Sequence, residues 1–353
     1  MTRYWKHVAG GAALAGVLIT GAWLTDPACA DETVKWKMQS AYPGSLVQLG
    51  ASGKTFAEQM KLVSGGSFQV RFYEPNALVP ALEILDAVKA GSIDAGWASA
   101  GFWAGKIPAA AFFGSVPFGP GAGEYMAWLN HGGGQNLWDE LYAPHGIKGI
   151  PCAMLAPEAS GWFRNEIRTA DDLKGLKMRF FGLGARVMEK MGVSTQLLAP
   201  GDIFPALERG TLDATEFSQP AIDYNLGFYQ VAKHYYFPGW HQQSTYLELL
   251  VNLDTWNGLT DTQRAQVETQ CRANIQRTIA EGEAIQGDAL TRLREKGVQI
   301  HRWPEPILKQ LRAAWDDVAA EESAKDEDFR RVWASLTAFR NTYSVWKDLG
   351  YLD

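Results

Sequence analysis

A repeated unit constrains this chain more than any other feature of its sequence. Residues 83–95 and 202–214 share one order: an acidic residue and Ile, an Ala with Val or Leu, a Gly, a hydroxyl residue, Ile or Leu, and Asp-Ala. In each copy, apolar residues at helical spacing precede the Gly, which ends the helix, and an aliphatic residue leads into a strand. Two copies predict two similarly built α/β lobes with a ligand-binding cleft between them. Chance recurrence is the alternative.

The N-terminus has the pattern of an export signal. Arg3 and Lys6 precede an uncharged stretch over residues 8–24, and Ala28-Cys29-Ala30 is a small-x-small cleavage site. A membrane anchor and a lipoprotein cut before Cys29 are the alternatives. The stretch is at the short limit for a membrane span and is rich in glycine. We therefore expect residues 1–30 to be removed and the mature protein to lie in the periplasm.

The charge of the chain excludes some partners. The formal net charge is −6, and the predicted export segment carries two basic residues and one acidic residue, so its removal leaves the chain more acidic. Such a chain lacks the basic field that nucleic-acid binding requires. Any anionic ligand must therefore be held by a local cation.

Two cysteines, Cys152 and Cys271, remain after cleavage. The periplasm permits a disulfide. Buried free thiols are nevertheless the commoner case in a large domain with few cysteines. We expect both thiols to be free, with the disulfide as the alternative.

Several catalytic signatures are almost present, and each lacks a required residue. Gly53-Lys54-Thr55 resembles the end of a phosphate-binding loop, but Gln48 stands where the first Gly is needed. Gly182 and Gly184 lack the third Gly of a dinucleotide fingerprint, and no nucleophile elbow accompanies the Gly-rich run after His131. The histidines lack the spacing of a zinc site. An enzyme is the weaker class, and no catalytic residue is predicted.

Charged side chains occur in apolar segments where strands are predicted to end. Arg179 lies in a strand predicted over 177–180, Glu216 lies in one over 214–217, and Glu158 precedes a third apolar segment. An Arg in an apolar strand is costly to bury unless an anion pairs with it. Its planar guanidinium suits a carboxylate. That carboxylate belongs either to a ligand or to Glu216.

Short motifs are dense over residues 36–346, nearly the whole mature chain. They lie at residues 161–163, 173–179, 187–192, 201–208, 212–216, 226–229 and 236–240. Together they resemble the solute-binding subunits of tripartite ATP-independent periplasmic (TRAP) transporters. The resemblance is greatest to the branch that binds 2-oxo acids such as pyruvate with a metal ion, which often carries the description mannitol/chloroaromatic.

We therefore predict an α/β, two-lobed periplasmic-binding-protein fold with a hinge and a long C-terminal helical region. Lobe I is predicted at 31–152, with 242–285 returning to it, and lobe II at 153–241. Helices over 286–353 are expected to brace both lobes. The hinge is predicted near 152–154 and 240–242.

The resemblance implies a site for a carboxylate and a cation. In this family the position of Arg179 holds the ligand carboxylate. In the 2-oxo-acid branch Na⁺, or Ca²⁺ in some members, bridges ligand and protein. Its implied ligands are the side chains of Glu158, Glu216 and Gln242 and the carbonyl of Phe217. The branch has Gln at the position of Glu158 and Glu at the position of Gln242. This exchange keeps the number of side-chain ligands at two carboxylates and one amide, which suits a hard cation.

Aromatic residues are predicted to line the rest of the site. The resemblance puts Phe217 where the branch has Trp, and Phe102 and Trp103 where it has tyrosines. Phe181 follows Arg179 directly. Ordinary core packing is the alternative for Phe217 and Trp103. An apolar floor of this kind leaves an aromatic or larger carboxylate open as the ligand.

The resemblance implies a receptor that binds a small 2-oxo or 2-hydroxy monocarboxylate, such as pyruvate or lactate, and delivers it to a TRAP membrane permease. A periplasmic enzyme that uses Glu158 and Glu216 as a carboxylate pair is the alternative from another class. No nucleic-acid partner is expected. The choice between Na⁺ and Ca²⁺ stays open, as does a homodimer.

Overall fold

The computed structural model describes residues 33–352, so the predicted export segment lies outside the described residues. Within them, no helix is both long and apolar enough to cross a membrane. The strands are β1 (Val34–Ser40), β2 (Phe68–Tyr73), β3 (Ala95–Ala98), β4 (Ile147–Leu155), β5 (Gly161–Phe163), β6 (Lys177–Arg179), β7 (Ser194–Gln196), β8 (Ala214–Thr215), β9 (His234–Phe237), β10 (Thr245–Asn252) and β11 (Gln299–Arg302).

Helices pack around these strands. They are α1 (Gly50–Val63), α2 (Ile84–Lys89), α3 (Ala122–His131), α4 (Gly134–Tyr142), α5 (Gly182–Lys190), α6 (Pro200–Glu208), α7 (Pro220–Leu226), α8 (Leu253–Asn257), α9 (Asp261–Glu295), α10 (Glu305–Lys325) and α11 (Glu327–Gly350). Short 3₁₀ helices include Ala81–Glu83, directly before α2, and Ala100–Trp103, after β3.

The strands form two sheets of matching design. The five-stranded sheet has the order β2-β1-β3-β10-β4, and the six-stranded sheet has the order β11-β9-β5-β8-β6-β7. In the first, β1 is parallel to β2 and β3, while β10 is antiparallel to β3 and β4. In the second, β6 is parallel to β7 and β8, while β5 is antiparallel to β8 and β9. The predicted α/β fold with two lobes is confirmed.

The two copies of the repeated unit occupy equivalent places in the two sheets. Helix α2 is followed by Gly91 with φ +68°, and α6 is followed by Gly210 with φ +74°. A left-handed residue after a helix favours Gly, because a side chain there is strained. The chain then enters β3 beside β1, or β8 beside β6, and both pairs are parallel. The repeat is thus a structural unit as well as a sequence pattern.

Two short crossing segments, residues 156–160 and 238–244, connect strands of the two sheets, and α8 and α9 make a third, longer connection from β10 to β11. The two crossing segments lie side by side, since the Gly239 N–H donates to the Glu158 carbonyl at 2.9 Å and the Glu158 N–H donates to the Gln242 carbonyl at 3.3 Å. Strand β4 contains the predicted hinge residues 152–154 and extends to Leu155. The predicted lobe boundaries stay a prediction.

Helix α9 connects the layers around both sheets. It begins at a capping box, in which Thr260 and Gln263 satisfy each other's backbone N–H. Its 35 residues span about 50 Å. On one side the Gln48 amide donates to the Thr278 carbonyl at 3.1 Å. Further along, the N–H of Ala221, in α7, donates to the α9 residue Gln286 at 2.9 Å. The helix is continuous across residues 285 and 286.

Cys152 and Cys271 form a disulfide, so the expectation of two free thiols is wrong. Cys152 lies in β4 and Cys271 lies in α9, which packs on that strand. Their Cα atoms are 4.1 Å apart although 119 residues separate them in the sequence. The bond ties α9 to the five-stranded sheet.

Candidate metal and carboxylate site

A small cavity lies between the two sheets, where parallel strands of both sheets end. Its volume is about 30 Å³. It is lined by Tyr42, Leu49, Ser99, Phe102, Leu155, Glu158, Arg179, Phe181, Phe217, Ser218, Gln242, Thr245 and Leu247. The carboxyl ends of parallel strands are the usual ligand sites of α/β folds. Larger cavities of about 600 and 580 Å³ lie on the five-stranded side, but their charged side chains are exposed or half-buried.

Arg179 is buried at the end of β6 and lines this cavity. Its Nη1 donates to a carboxylate oxygen of Glu216 and, at 3.1 Å, to the Glu216 carbonyl. Its Nε donates weakly to the Leu198 carbonyl at 3.4 Å. Nη2 makes no hydrogen bond with the described residues. Both partners that the sequence left open for Arg179 therefore remain compatible with its position: it is paired with Glu216, and it also faces the cavity.

Glu216 follows β8 and is completely buried. Its Oε1 accepts the bond from Arg179, whereas Oε2 has no hydrogen-bond partner among the described residues. Nε2 of His241 lies 3.4 Å from Oε2. A buried carboxylate oxygen without a donor costs free energy unless a cation or another donor meets it.

Glu158 lies in the first crossing segment and is 3% exposed. Its Oε1 accepts bonds from the hydroxyls of Ser218 at 3.1 Å and Thr245 at 3.4 Å, while Oε2 has no partner among the described residues. Burial raises the pKa of this carboxyl well above its usual range, and the nearby Glu216 carboxylate raises that pKa further. The Glu216 carboxylate therefore opposes the ionisation of Glu158.

Gln242 and His241 complete the cluster from the second crossing segment. The Gln242 amide donates to the Thr245 hydroxyl at 2.7 Å, and its Oε1 has no partner among the described residues. Both ring nitrogens of His241 also lack a hydrogen-bond partner within residues 33–352. Ligand atoms of Glu158, Glu216 and His241 all lie within 4.8 Å of one another.

This donor set fits a bound cation. In the described part of the chain, two carboxylate oxygens, one amide oxygen and one imidazole lack hydrogen-bond partners, and all belong to side chains that are at most 3% exposed. Oxygen donors of this kind bind hard cations. Of the predicted metal ligands, Glu158, Gln242 and Phe217 line the cavity. The fourth, Glu216, does not line it but lies beside Glu158.

The predicted aromatic residues fall into two groups. Phe102, Phe181 and Phe217 line the cavity, and Phe102 meets Phe181 edge to face with ring centroids 5.1 Å apart. The Arg179 guanidinium lies over the Phe217 ring, 5.4 Å from its centroid. Trp103 does not line the cavity, because its indole is turned to the buried carboxylate of Glu248, to which it donates at 2.6 Å.

Several residues in the cavity or beside it have no counterpart in the sequence-based set. His241 was passed over because the histidines lack zinc spacing, yet its position beside Gln242 was a usable signal. Tyr42 follows β1 in the way that Phe181 follows β6, so the rule that singled out strand ends applies to it as well. Ser218 and Thr245 hold Glu158, and no sequence pattern identifies them.

Two sheets, two adjacent crossing segments and a buried site between them define a two-lobed solute-binding protein. Residues 39–326 match the family described as DctP, bacterial extracellular solute-binding protein, family 7. The chain is 36% identical over 321 residues to the monocarboxylate 2-oxoacid-binding periplasmic protein of Nostoc sp. strain PCC 7120, with 90% of this chain and 87% of that protein covered.

Two solved structures extend the comparison. A TRAP transporter solute-binding protein of Bordetella bronchiseptica RB50, a mixed-occupancy dimer with copurified calcium and picolinate, has a TM-score of 0.88 at 32% identity, covering 90% of this chain and 95% of that one. A counterpart from Pseudoalteromonas atlantica T6c with bound sodium and pyruvate has a TM-score of 0.87 at 30% identity, covering 90% and 97%. The chain belongs to the DctP family of TRAP transporter solute-binding proteins, as its motifs predicted.

Proposed function

We propose that this protein is a periplasmic receptor for a small 2-oxo or 2-hydroxy monocarboxylate, which it binds together with a metal cation and delivers to a TRAP membrane permease. In this proposal the chain is exported through its first 30 residues and carries out no catalysis. The relatives from Nostoc and Pseudoalteromonas support the ligand class, since they are described with 2-oxo acids and with pyruvate.

The observation that carries the proposal is the group of unpaired buried oxygens beside Arg179. Oε2 of Glu158, Oε2 of Glu216 and Oε1 of Gln242 have no hydrogen-bond partner among the described residues. With both carboxylates ionised, Arg179 offsets only one negative charge. A bound cation of charge one or two removes the remainder, which a buried site in a low-dielectric interior requires.

Arg179 gives the site its specificity for an acid. The ion pair with Glu216 holds the guanidinium in place, and Nη2 stays available for a ligand carboxylate. Hydrogen bonds from Arg to a carboxylate are charge-assisted and short. The aromatic rings of Phe181 and Phe217 exclude water around the guanidinium, which strengthens its attraction for an anion.

The cation would supply a positive centre that binds a carboxylate oxygen and the adjacent oxo or hydroxyl oxygen of the ligand. Glu158, Glu216 and Gln242, with the Phe217 carbonyl, are the residues proposed to hold it. By similarity to relatives that contain sodium or calcium, Na⁺ and Ca²⁺ are the first cations to test. Selection for an oxygen next to the carboxylate follows, because a simple acid offers only one chelating group.

Ligand entry requires movement of the lobes. The cavity has room for about one or two water molecules, and its charged side chains are almost fully buried. The two crossing segments are the connections about which a hinge would act. A ligand that binds the closed form better than the open form shifts that equilibrium, and the closed form is the one presented to the permease.

Calorimetry on protein dialysed against a chelator tests this function. Pyruvate, lactate and propionate are titrated with and without Na⁺ or Ca²⁺. We expect pyruvate or lactate to bind only with the cation, and propionate to bind at least about tenfold more weakly, since it lacks the second chelating oxygen. Equal binding of all three acids, binding without any cation, or turnover of the acid would contradict the proposal.

Arg179→Met is the matched test of the acid-binding role. We expect it to abolish acid binding, because the carboxylate loses its charged donor. Arg186→Met is the control, since Arg186 lies in the neighbouring helix α5 with an exposed side chain and the same charge is removed. Wild-type affinity in the Arg179 variant would remove Arg179 from the site.

An aromatic acid that chelates in the same way is the second candidate. The walls of Phe102, Phe181 and Phe217 favour a flat apolar ligand. The Bordetella relative was purified with calcium and picolinate, an aromatic carboxylate with a ring nitrogen beside the acid group. Picolinate belongs in the same titration series, and binding tighter than that of pyruvate would favour this candidate.

A further inference from the structure

Strand β2 is an open edge of the five-stranded sheet, since within residues 33–352 it pairs only with β1. Just before it, the Ser67 carbonyl accepts a hydrogen bond from the first N–H of β1 at 2.9 Å. Backbone groups alternate in direction along a strand. Those of Phe68 accordingly point away from β1, where the Ser64 hydroxyl bonds to both. The N–H and C=O groups of Val70 and Phe72 share this outward direction, and no described residue bonds to them.

A groove of about 600 Å³ runs along this edge beside helix α1. Val70 and Phe72 are partly buried against the core and form the apolar floor of the groove with Trp36. Side chains alternate between the faces of a sheet, so Arg71 of β2 and its paired residue Lys37 of β1 lie on the opposite, exposed face. A strand added at this edge would therefore meet an apolar surface on one face and a basic surface on the other.

Five basic side chains surround the groove, in a chain whose formal net charge is −6. They are Lys35, Lys37, Lys54, Lys61 and Arg71. All five are exposed, and Glu58 is the one acidic residue of the groove lining. None of the five forms a salt bridge with any residue that the structure describes. The edge thus carries positive charge that attracts an acidic partner.

We propose that the edge of β2 is the docking site for an acidic, extended segment of the membrane permease, which joins the sheet as a further strand. The inference rests on the proposed function for the identity of the partner chain. The outward backbone groups of Val70 and Phe72 supply the hydrogen bonds of this strand addition. Side chains of the added strand that face α1 should be apolar, and those that face Arg71 should be acidic.

Two other occupants fit the edge less well. Pairing of β2 with β2 of a second copy would bring two sets of five cations together, and like charges oppose such pairing. An anionic membrane surface would meet the cations but would use neither the apolar floor nor the outward backbone groups. An acidic extended chain uses all three features.

A labelled peptide of alternating Glu and Val, seven residues long, tests the strand addition. Such a peptide spans about 20 Å, the length of β2. By fluorescence anisotropy we expect saturable, one-to-one binding that weakens as NaCl is added, and no binding of the matching Lys-Val peptide. No binding of the Glu-Val peptide, or equal binding of both peptides, would overturn the inference.

Two N-methylated forms of the Glu-Val peptide test the backbone hydrogen bonds. One carries the methyl group on every Glu nitrogen, and the other carries it on every Val nitrogen. In an added strand only one of these sets of N–H groups faces β2. We therefore expect one form to lose binding and the other to keep it. Binding of both forms as tightly as the unmodified peptide would overturn the inference.

A variant with Lys54→Gln and Arg71→Gln removes one cation from each side of the groove. It should weaken Glu-Val peptide binding at least about tenfold, because two charge pairs are lost. Transport of the acid into vesicles that contain the permease should fall, while acid affinity in solution stays unchanged. The control with Lys309→Gln and Arg330→Gln removes the same charges from exposed positions in α10 and α11 and should change none of these.

Unchanged peptide binding or unchanged transport in the groove variant would contradict the inference. So would binding of the protein to phosphatidylglycerol vesicles without permease, if the groove variant lost it and the Glu-Val peptide did not compete with it. The two proposals fail separately. A wild-type protein that binds no acid with any cation would contradict the proposed function and leave the peptide result standing.

Discussion

The two lobes contain the same repeated unit, but the side chains that follow it differ in chemistry. In the five-stranded sheet the Asp94 carboxylate accepts a hydrogen bond from the backbone N–H of Lys37 at 2.7 Å. In the six-stranded sheet the Asp213 carboxylate accepts one from the backbone N–H of Lys177 at 2.9 Å. In both cases the Asp backbone N–H donates back to the same Lys carbonyl. The pair of Asp–Lys hydrogen bonds that holds the repeated unit against its neighbouring strand is therefore common to both lobes.

The residues that follow these Asp–Lys pairs along the strands differ in chemistry between the two sheets. In β1 the position equivalent to Arg179 is Gln39, as judged from the pairing of each strand with its repeat strand. The Gln39 amide is satisfied internally, since it donates to the Glu74 carbonyl at 2.6 Å and accepts from the Leu78 N–H at 2.9 Å. Arg179 instead faces the cavity with one guanidinium nitrogen uncommitted.

The same contrast holds one strand further along. Trp97 is equivalent to Glu216, and its indole packs against Phe56 while its N–H donates to the Leu49 carbonyl at 3.0 Å. Glu216 retains an unpaired oxygen in the cluster. At these two positions the five-stranded sheet satisfies its polar atoms internally, whereas in the six-stranded sheet Glu216 keeps an oxygen without a partner among the described residues. The shared Asp–Lys hydrogen bonds fix where the strands lie, and the side chains further along the strands differ between the two sheets.

The largest expected effect is a loss of stability when Trp97 is replaced, compared with replacement of the equivalent residue Glu216. Trp97→Ala should lower the free energy of unfolding by about 3–5 kcal/mol, because it opens a cavity in the core. Glu216→Gln should lower it less, since the amide oxygen still accepts from Arg179, but acid binding should lose its dependence on the cation. Urea unfolding and calorimetry measure the two effects. A binding defect confined to the Trp97 variant would break the comparison.

Removal of the disulfide should give a smaller loss, confined to stability. The variant with both Cys152→Ser and Cys271→Ser should lose about 2–4 kcal/mol of unfolding free energy, because the bond closes a long loop. Acid affinity should change less than about twofold, since neither cysteine lines the cavity. Thermal or urea unfolding and calorimetry check both. An unchanged unfolding free energy would argue against a formed bond.

The smallest expected effect is a pH dependence from Glu158. Its pKa is raised in the folded, cation-free protein, so the proton stabilises that state. Stability of the cation-free protein should fall as pH rises from the ordinary Glu pKa through this raised value. Over the same range the cation affinity should rise by up to about tenfold per pH unit, because the cation competes with the proton.

Calorimetry and thermal unfolding across that pH range measure these trends. Glu158→Gln is the matched variant and should flatten both. A residual slope is expected up to pH of about 7 from Asp223, whose pKa burial raises to about 7 and whose contribution has the same sign. Cation affinity that falls with rising pH would contradict the role given to Glu158.

Local patterns predicted much of the fold. The alternation of apolar and polar residues over 34–40 and 68–73 favours strands, and β1 and β2 have those bounds. Helical spacing over 125–141 indicates helix, but the structure has two helices, because Gly133 adopts φ +86° between them. The disulfide could not be read from spacing, because it depends on how α9 packs on β4.

The candidate site was predicted in part, and the reason is physical. Arg179, Glu158 and Glu216 stand out because a charge in an apolar segment is exceptional, and the structure places them together. Trp103 also stands out in the sequence, but its indole N–H donates to the buried carboxylate of Glu248. The only sequence signal for His241 was its position beside Gln242, since residues that are distant in sequence from their neighbours in the fold have no fixed spacing.

A crystal structure of the protein grown with pyruvate and a divalent cation tests the central claim most directly. We expect the pyruvate carboxylate within hydrogen-bond distance of Arg179 and the cation bound by Glu158 and Glu216. Pyruvate bound elsewhere, or Arg179 committed entirely to Glu216 with no acid beside it, would contradict the account.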